Sequence, residues 1–498
     1  MPDSRSRPGW TLVLNSLAFF MVGLDSLVVV TALPAIHRDL GAGLPALQWT
    51  VNAYSIAWAA TITTAAALGD RYGRRRWFAI GLALFTLASA ACALAPDIRT
   101  LIAARVMQGI GAGLIMPLSL TILTTAFGPG RRGTIVGIWG GIAGIAVATG
   151  PLIGGAITQN LTWHWVFWIN VPLGIATAAL SLRELSEAVG PATTVDPVAV
   201  ALVSGGAMGI VLGLVRGSTA GWETPVPVAV LGGGVVLMAG FVARELRATA
   251  PMLPLRLFRS VRFSAANATG FLQSGAVFGG IFLVTQYFQV ALGDSPFGTG
   301  LRLLPWTGAP LLLAPLAGAL SDRIGPRPLL ILGMLAQAGS FVWFASLASA
   351  GGGYWQLALA MALTGIGVAM VLPVAPSAAL SAVRPEDTGK ASGLNSTVQR
   401  FGGAFGVAAA TSVFGASGSL TGPETFVAGL RPALAVVAGL ALIGGLAAFG
   451  VGKRAPAASM SSVHDLAPAR DTSVEPASGS CTHAAELGTA LGREGGTR

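Results

Sequence analysis

Charged residues are scarce in this chain. Asp, Glu, Lys and Arg make up 10% of its 498 residues, whereas hydrophobic residues make up 53%. Long apolar runs separated by short polar loops recur through residue 451, without the interleaved polar residues that a soluble core would show. The alternating segments of roughly ten residues that mark a membrane β-barrel are also missing. The sequence therefore predicts an all-α polytopic membrane protein.

Residues for cofactor or metal chemistry are equally sparse. The two cysteines, Cys92 in an apolar run and Cys481 near the C-terminus, differ too much in setting to predict a disulfide framework. The four histidines are scattered and none lies in an HExxH arrangement, so no metal site is expected. TGKAS at 388–392 lacks the upstream glycine and the Ser or Thr after lysine of a phosphate-binding loop. We expect no enzyme, no ATP-driven machine and no cofactor.

Basic residues lie where membrane topology favours them. The net charge is +10, but most Lys and Arg residues in the short loops fall on one side of the predicted spans, so nucleic acid is not an expected partner. The bias predicts cytoplasmic N- and C-termini. At about 20 residues per span, fourteen spans are predicted, near 10–33, 47–68, 77–95, 101–123, 134–157, 162–182, 198–215, 226–242, 263–290, 299–320, 328–349, 355–377, 391–415 and 431–451.

Two stretches recur about 250 residues apart in the same order, as an internal repeat would place them. GDRYGRRR at 69–76 is echoed by SDRIGPRP at 321–328, and LIAARVMQGIGAGLIMP at 101–117 by LALAMALTGIGVAMVLP at 357–373. The second pair keeps Gly109 and Gly111 as Gly365 and Gly367, and it keeps the final proline, but Met361 replaces Arg105. Chance similarity between glycine-rich apolar helices could explain either match alone. It poorly explains two matches in the same order and at nearly the same offset. Paired six-helix halves are typical of transporters with a substrate path between them.

The repeat divides the chain into five parts. They are a cytoplasmic N-terminus, an N-terminal six-helix half, a linker with two inserted helices and a basic cytoplasmic segment, a C-terminal six-helix half and a disordered cytoplasmic tail, at 1–9, 10–182, 183–262, 263–451 and 452–498. Within the linker, 243–262 carries apolar anchors at Met252, Leu255 and Phe258, so an interfacial helix and a solvated loop are both open.

Asp25 is the only acidic residue deep inside a predicted span, where a charge costs about 2.5–3.5 kcal/mol. From the span directions it lies about 12 Å, and Arg105 about 6 Å, from the same outer face, so the two could pair. A proton-coupling pair, a structural ion pair and an Arg105 that snorkels outward are the alternatives. Arg400 is a second cation within a span, near enough to its cytoplasmic end to snorkel.

The whole pattern resembles the major facilitator superfamily, and within it the fourteen-helix drug:proton antiporters. The similarity covers nearly all of residues 10–451. Besides GDRYGRRR and RVMQGIGAGLIMP, the stretches that carry it are LDSLVVVTALP at 24–34, QWTVNAYSIA at 48–57, GPLIGG at 150–155 and WHWVFWINVPLG at 163–174. The resemblance implies a major facilitator fold and a cavity lined by the first and fourth helices.

The resemblance also assigns roles to the glycine-rich motifs. It implies a cytoplasmic gate, beside the role of topology anchor, at Gly69, Asp70, Arg71, Gly73, Arg74, Asp322 and Arg323. It implies an antiporter motif, beside ordinary small-residue packing, at Gly150, Pro151, Gly154 and Gly155. Polar and aromatic residues that could line a substrate cavity or merely pack between helices are Trp49, Asn52, Tyr54, Gln108, Gln273, Gln286 and Asn395.

The expected function is proton-coupled export of drugs or other lipophilic small molecules across the plasma membrane by alternating access. Its partners would be the substrate, protons and membrane lipid, and the protein would act as a monomer. The alternative is a dedicated exporter of one endogenous metabolite or self-made antibiotic.

Overall fold

A computed structural model describes seven stretches of the chain, residues 8–127, 132–189, 196–220, 224–248, 255–349, 353–384 and 387–452. The predictions for the first seven residues and for the tail after residue 452 lie outside them. The described stretches are helical nearly throughout. Their α-helices are α1 (Pro8–Leu40), α2 (Leu44–Tyr72), α3 (Arg74–Ala93), α4 (Ile98–Ala126), α5 (Arg132–Asn160), α6 (Trp165–Trp168), α7 (Asn170–Glu184), α8 (Pro197–Ala220), α9 (Pro225–Arg247), α10 (Val261–Gln286), α11 (Pro296–Arg302), α12 (Leu304–Thr307), α13 (Ala309–Ile324), α14 (Pro326–Leu347), α15 (Tyr354–Val371), α16 (Val374–Ser381), α17 (Thr388–Ser417) and α18 (Pro423–Ala447).

Ten helical stretches among the described residues are long and apolar enough to cross a membrane. Helices α2, α5, α8 and α17 occupy the four other spans expected from the sequence. Helix α17 is unusually polar for a span because it carries Asn395, Gln399 and Arg400.

Three predicted spans are interrupted. The span at 299–320 is divided into α11, α12 and α13, and that at 355–377 into α15 and α16, each break falling beside a proline. Proline has no N–H to donate and clashes with the preceding turn, so it readily interrupts a helix. The span at 162–182 is broken at Ile169 into α6 and α7. Pro117 and Pro151 lie inside helices that remain continuous.

Alternate glycines in α4 set its place between two neighbours. A Cβ added at Gly109 would meet the Tyr54 carbonyl of α2, and one added at Gly111 would lie 2.6 Å from the Phe85 nitrogen of α3. Asp97 caps the start of α4, because its carboxylate accepts hydrogen bonds from the Arg99 and Thr100 amides. These bonds, foremost the one from Thr100, lower the pKa of Asp97 below its ordinary value.

The repeated glycines of α15 make corresponding contacts in the other half. A Cβ at Gly365 would meet the Trp306 carbonyl of α12, and one at Gly367 the Gly333 carbonyl of α14. Each glycine pair therefore holds its helix close to the second and third helical segments of its own half.

The inserted helices α8 and α9 form a closely packed pair. Cβ atoms added at Gly209 and Gly213 of α8 would lie 2.7 Å from the Cα atoms of Gly234 and Leu231 of α9. The pair also has neighbours on both sides, because α8 contacts α2 of the N-terminal half and α17 of the C-terminal half.

The basic segment after α9 forms no long interfacial helix in its described part. Its first residues belong to α9, and its last form a short 3₁₀ helix, Leu255–Arg259. Phe258 packs edge-on against Phe263 of α10, with ring centroids 5.3 Å apart. Arg256 pairs with Asp387 beside α17 at 2.8 Å. This end of the segment therefore packs against protein, while Met252 lies outside the described residues.

The two halves approach each other along α2 and α17, and along α5 and α11. Ile56 of α2 packs with Ala404 and Ala408 of α17. A Cβ added at Gly155 of α5 would meet the Pro296 carbonyl at the start of α11. The Ile56 contact lies near the middle of α2, whereas Gly155 lies near the end of α5. The GDRYGRRR loop joins the end of α2 to α3, at the end of the N-terminal half where α5 begins.

Candidate functional site

Asp25 lies at the centre of a buried polar cluster in the N-terminal half. Its carboxylate accepts hydrogen bonds from Arg105 at 2.5 Å, from Gln108 at 2.8 Å and from Asn170 at 3.0 Å. The Asp25 side chain is 0% exposed and that of Arg105 is 1% exposed. Helices α1, α4 and α7 therefore converge on one carboxylate that has no solvent contact.

Arg105 holds this carboxylate while also binding α2. Its Nε donates to the Thr50 carbonyl at 3.0 Å, and one terminal nitrogen donates to Gln108 Oε1 at 2.7 Å. The guanidinium carbon lies 4.1 Å from the centroid of the Tyr54 ring, within cation–π distance. Arg105 does not snorkel in this structure, because its donors are satisfied inside the bundle.

Ser89 of α3 completes the cluster. Its hydroxyl accepts from Gln108 at 3.1 Å and from Asn170 at 3.2 Å, and it donates to the Phe167 carbonyl at 3.0 Å. All of these side chains are buried. The donors of this network are paired, whereas the Asn170 side-chain oxygen is buried without a hydrogen-bond partner. Chemically, Asp25 is a proton-binding group whose proton would displace a guanidinium partner.

Two expected cavity residues belong to this cluster. Gln108 uses both amide atoms within it, and Tyr54 stacks on Arg105 and donates to the Val22 carbonyl at 3.1 Å. The sequence left open whether the two residues line a substrate cavity or pack between helices, and in this structure they pack around the ion pair.

The other expected cavity residues are dispersed. Trp49 is half-buried against α17. Asn52 is fully buried and neither of its amide atoms has a hydrogen-bond partner. Asn395 donates to Asn267 at 3.0 Å and accepts from Gln399 at 2.7 Å. Gln273 and Gln286 are buried on α10. The structure therefore does not bring these side chains into one contiguous cluster.

Arg400 lies at the boundary between the halves. Its guanidinium carbon is 3.4 Å from the centroid of the Trp58 ring on α2. Trp58 in turn packs edge-on against Tyr54, with centroids 5.4 Å apart. Arg400 therefore stacks across the interface, whereas the sequence suggested that it could extend to the membrane surface.

The GDRYGRRR loop is held within the N-terminal half. Asp70 and Arg74 form an ion pair at 2.7 Å, and Arg74 also donates to Thr125 of α4 at 3.1 Å. A Cβ at Gly69 would overlap the end of the Leu118 side chain of α4, which would have to rotate away. Arg71 packs over the ring of its neighbour Tyr72 at 5.3 Å.

Glu187, after α7, anchors the same loop, and the sequence did not single it out. It accepts from the Arg75 amide at 2.9 Å and lies 3.6 Å from Arg75 Nε and 3.8 Å from Arg76 Nε. Gly73 has a φ of +109°, and a Cβ there would lie 2.7 Å from the Glu187 carboxylate. Glycine is required for both the backbone angle and the close approach.

The echoed loop in the C-terminal half lacks these connections. Asp322 and Arg323 are exposed, and neither forms an ion pair with another described residue. Proline at 326 begins α14 directly after Gly325, whose φ is +88°. The two loops thus share a turn but not their side-chain contacts.

The GPLIGG motif packs α5 against both halves. Cβ atoms added at Gly150 and Gly154 would meet Leu27 and Thr31 of α1. On the other side, a Cβ at Gly300 of α11 would lie 2.6 Å from the Pro151 carbonyl, and Gly155 faces Pro296.

Two hydrogen bonds also join the halves near the contact between α5 and α11. The Phe297 amide donates to Gln159 at 3.2 Å, and Gln289 donates to the Thr31 carbonyl at 3.0 Å. The motif therefore lies where the halves close together.

The residues missed by sequence reasoning share one signal. Ser89, Asn170 and Glu187 are polar or acidic residues that interrupt or border apolar helices. Asn170 was within the quoted stretch WHWVFWINVPLG but was not connected to Asp25, because only the folded chain brings α7 to α1.

Comparison with known families gives an independent assignment. Residues 16–310 and 268–471 match the Major Facilitator Superfamily. The chain is 38% identical over 406 residues to the tetracenomycin C resistance and export protein of Streptomyces glaucescens, covering 81% of this chain and 75% of the relative.

Two further relatives show the same breadth of similarity. The multidrug resistance protein Stp of Mycobacterium tuberculosis is 36% identical over 410 residues, which cover 82% of this chain and 76% of the relative. The methylenomycin A resistance protein of Bacillus subtilis is 33% identical over 399 residues, which cover 80% and 85%.

Solved structures support the fold alone. A POT family transporter superposes with a TM-score of 0.67 at 17% identity, covering 88% of this chain and 94% of the other. A D-xylose–proton symporter gives a TM-score of 0.61 at 15% identity, covering 89% and 97%.

The contact of Gly155 with α11 is testable by substitution. In Gly155→Ala the new methyl must displace the Pro296 backbone carbonyl, which should destabilise the protein by about 1–3 kcal/mol. We expect a lower apparent Tm of the purified protein. Gly339→Ala on α14 is the matched control, since a Cβ there meets nothing within 4 Å. Equal Tm values for the two variants would show that the halves do not meet at Gly155.

Proposed function

The chain belongs to the Major Facilitator Superfamily, and we propose that it is a proton-coupled exporter of drugs or other lipophilic small molecules. It is a multi-pass transporter of the cell membrane rather than an enzyme. We further propose that all fourteen spans expected from the sequence cross the membrane and that both termini are cytoplasmic. The bias of Lys and Arg in the short loops supports this orientation.

The observation that carries the coupling proposal is the fully buried Asp25–Arg105 pair. Removing one partner of a buried ion pair costs about 3–5 kcal/mol because the other charge is left uncompensated. Protonation of Asp25 destabilises the pair in the same way but less strongly, since it neutralises the carboxylate that holds Arg105. A proton can therefore change the preferred packing of α1 against α4.

In the proposed cycle, protonated Asp25 releases Arg105, and deprotonation restores the pair. Arg105 also binds the Thr50 carbonyl and stacks on Tyr54, so its release alters α2 as well as α4. Because α2 packs against α17 of the other half, the change reaches the boundary between the halves. Direct capture of a cationic substrate by Asp25 is less favoured in this state, because its carboxylate is 0% exposed.

The arrangement of contacts supports the proposed alternating access. In the proposed orientation, the closures at Gly155 and Gln289 lie on the outer side, and the GDRYGRRR loop lies on the cytoplasmic side. This loop contacts residues of its own half, such as Leu118, Thr125 and Glu187. We assign the structure to a state open toward the cytoplasm, in which the cytoplasmic gate is disengaged.

The relatives' names support two ranges of substrate. One is named for multidrug resistance, which favours broad export. Others are named for single antibiotics, which favours the alternative of a dedicated exporter. A resistance panel on a gene deletion, with and without the re-expressed copy, separates them, because a dedicated exporter protects against one compound.

Asp25→Asn tests the coupling residue. The amide keeps the shape of the carboxyl group but does not titrate. We therefore expect normal membrane levels of the variant and loss of pH-driven transport. Everted vesicles would be assayed for uptake of compounds selected from the resistance panel, with and without an imposed pH gradient. If the variant responds to the gradient as the wild type does, Asp25 is not the coupling site.

Arg105→Ala and Met361→Ala test whether coupling resides in the N-terminal half alone. Met361 is the buried counterpart of Arg105 in the repeat, and it carries no charge that a proton could release. We expect Arg105→Ala to abolish the pH response and Met361→Ala to retain most of it, at rates normalised to protein level. Similar losses of the pH response in both variants would contradict this assignment.

A further inference from the structure

Arg400 is a cation without an anionic partner near the middle of α17. Arg400 forms no ion pair and no hydrogen bond with the side chains of the described residues. It stacks on Trp58, with the guanidinium carbon 3.4 Å from the ring centroid. Stacking uses the face of a guanidinium and leaves its five edge N–H donors available.

The buried carboxylates of Asp25 and Asp387 already have other partners. Asp25 already accepts from Arg105, Gln108 and Asn170. Asp387, beside the start of α17, pairs with Arg256. A single charge within a membrane span costs about 2.5–3.5 kcal/mol, so an unpaired Arg400 calls for a ligand.

The surroundings of Arg400 are aromatic and apolar. Trp58 is fully buried, and its indole Nε1 has no hydrogen-bond partner. Trp49 and Phe401 are half-buried and pack around Ile56 between the halves. Arg400 itself remains partly exposed where α2 packs against α17.

We propose that Arg400, held by its stack on Trp58, binds the carboxylate end of a lipophilic, aromatic acid. The planar guanidinium can donate two parallel hydrogen bonds to a carboxylate, and the half-buried rings of Trp49 and Phe401 offer an apolar surface to the rest of the acid. This inference rests on the proposed export function, because it names the substrate class for the same path. Since Arg400 belongs to one half and stacks on Trp58 of the other, the acid binds where the two halves meet.

The site also adjoins the proton-binding cluster. Trp58 contacts Tyr54 edge-on, and Tyr54 carries the Arg105 guanidinium on its face. An acid bound at Arg400 therefore lies two aromatic rings from the Asp25–Arg105 pair. Ligand and proton would act on the same helix, α2, without competing for one carboxylate.

Charge-selective binding tests this proposal. Pyrenebutyric acid, its methyl ester and a pyrenebutyl trimethylammonium salt share one aromatic body and differ in head-group charge. We expect the purified full-length protein in detergent to bind the carboxylate at least about tenfold more tightly than the other two. Arg400→Gln should lose that preference, whereas Arg400→Lys should retain part of it because it keeps the charge without the planar fork.

The controls separate this site from general effects. Arg38→Gln removes an exposed arginine near the end of α1 and should bind all three probes as the wild type does. If Arg400→Gln aggregates, the preference of the wild type for the carboxylate and the reduced preference of Arg400→Lys still test the proposal. Equal affinities of the wild type for the three probes, no binding of the carboxylate, or an unchanged preference in Arg400→Gln would overturn the proposal.

Failure of the proposed proton coupling would have a different signature. Binding is measured without a proton gradient, so Asp25→Asn should keep the preference for the carboxylate even where it abolishes pH-driven transport.

Discussion

A carboxylate placed within the hydrocarbon layer must find its hydrogen-bond donors inside the protein, because no water is present there to solvate it. Asp25 meets this constraint with Arg105, Gln108 and Asn170, which come from two other helices. The N-terminal half is therefore assembled around one negative charge. Any event that neutralises this charge removes the reason for its donors to stay where they are.

Close backbone contacts turn that local constraint into a property of the whole bundle. Gly109 and Gly111 bring α4 against α2 and α3, and Gly155 brings α5 against α11 of the other half. Small residues allow helices in a membrane to pack without a hydrophobic driving force. Rigid packing of this kind has few intermediate positions, so a change at Arg105 can be expressed as a movement of one half relative to the other.

Periodicity and motif spacing predicted much of this architecture, including the apolar helices and the repeat, and they indicated that Asp25 and Arg105 could pair. They could not predict Asn170 or Glu187 as partners, because each reaches its site through the packing of a distant helix. The interruptions inside predicted spans were also missed, since a proline can break a helix or remain within it. Arg400 was ambiguous for a related reason: its stack depends on the other half of the molecule.

Asp25 is proposed here as the group that takes up a proton within the membrane. The infrared difference spectrum of the purified protein between acidic and neutral pH tests this proposal directly. We expect the wild type to show the C=O band of a buried protonated carboxyl group and Asp25→Asn to lose it. A band that persists unchanged in Asp25→Asn would show that another group takes up the proton.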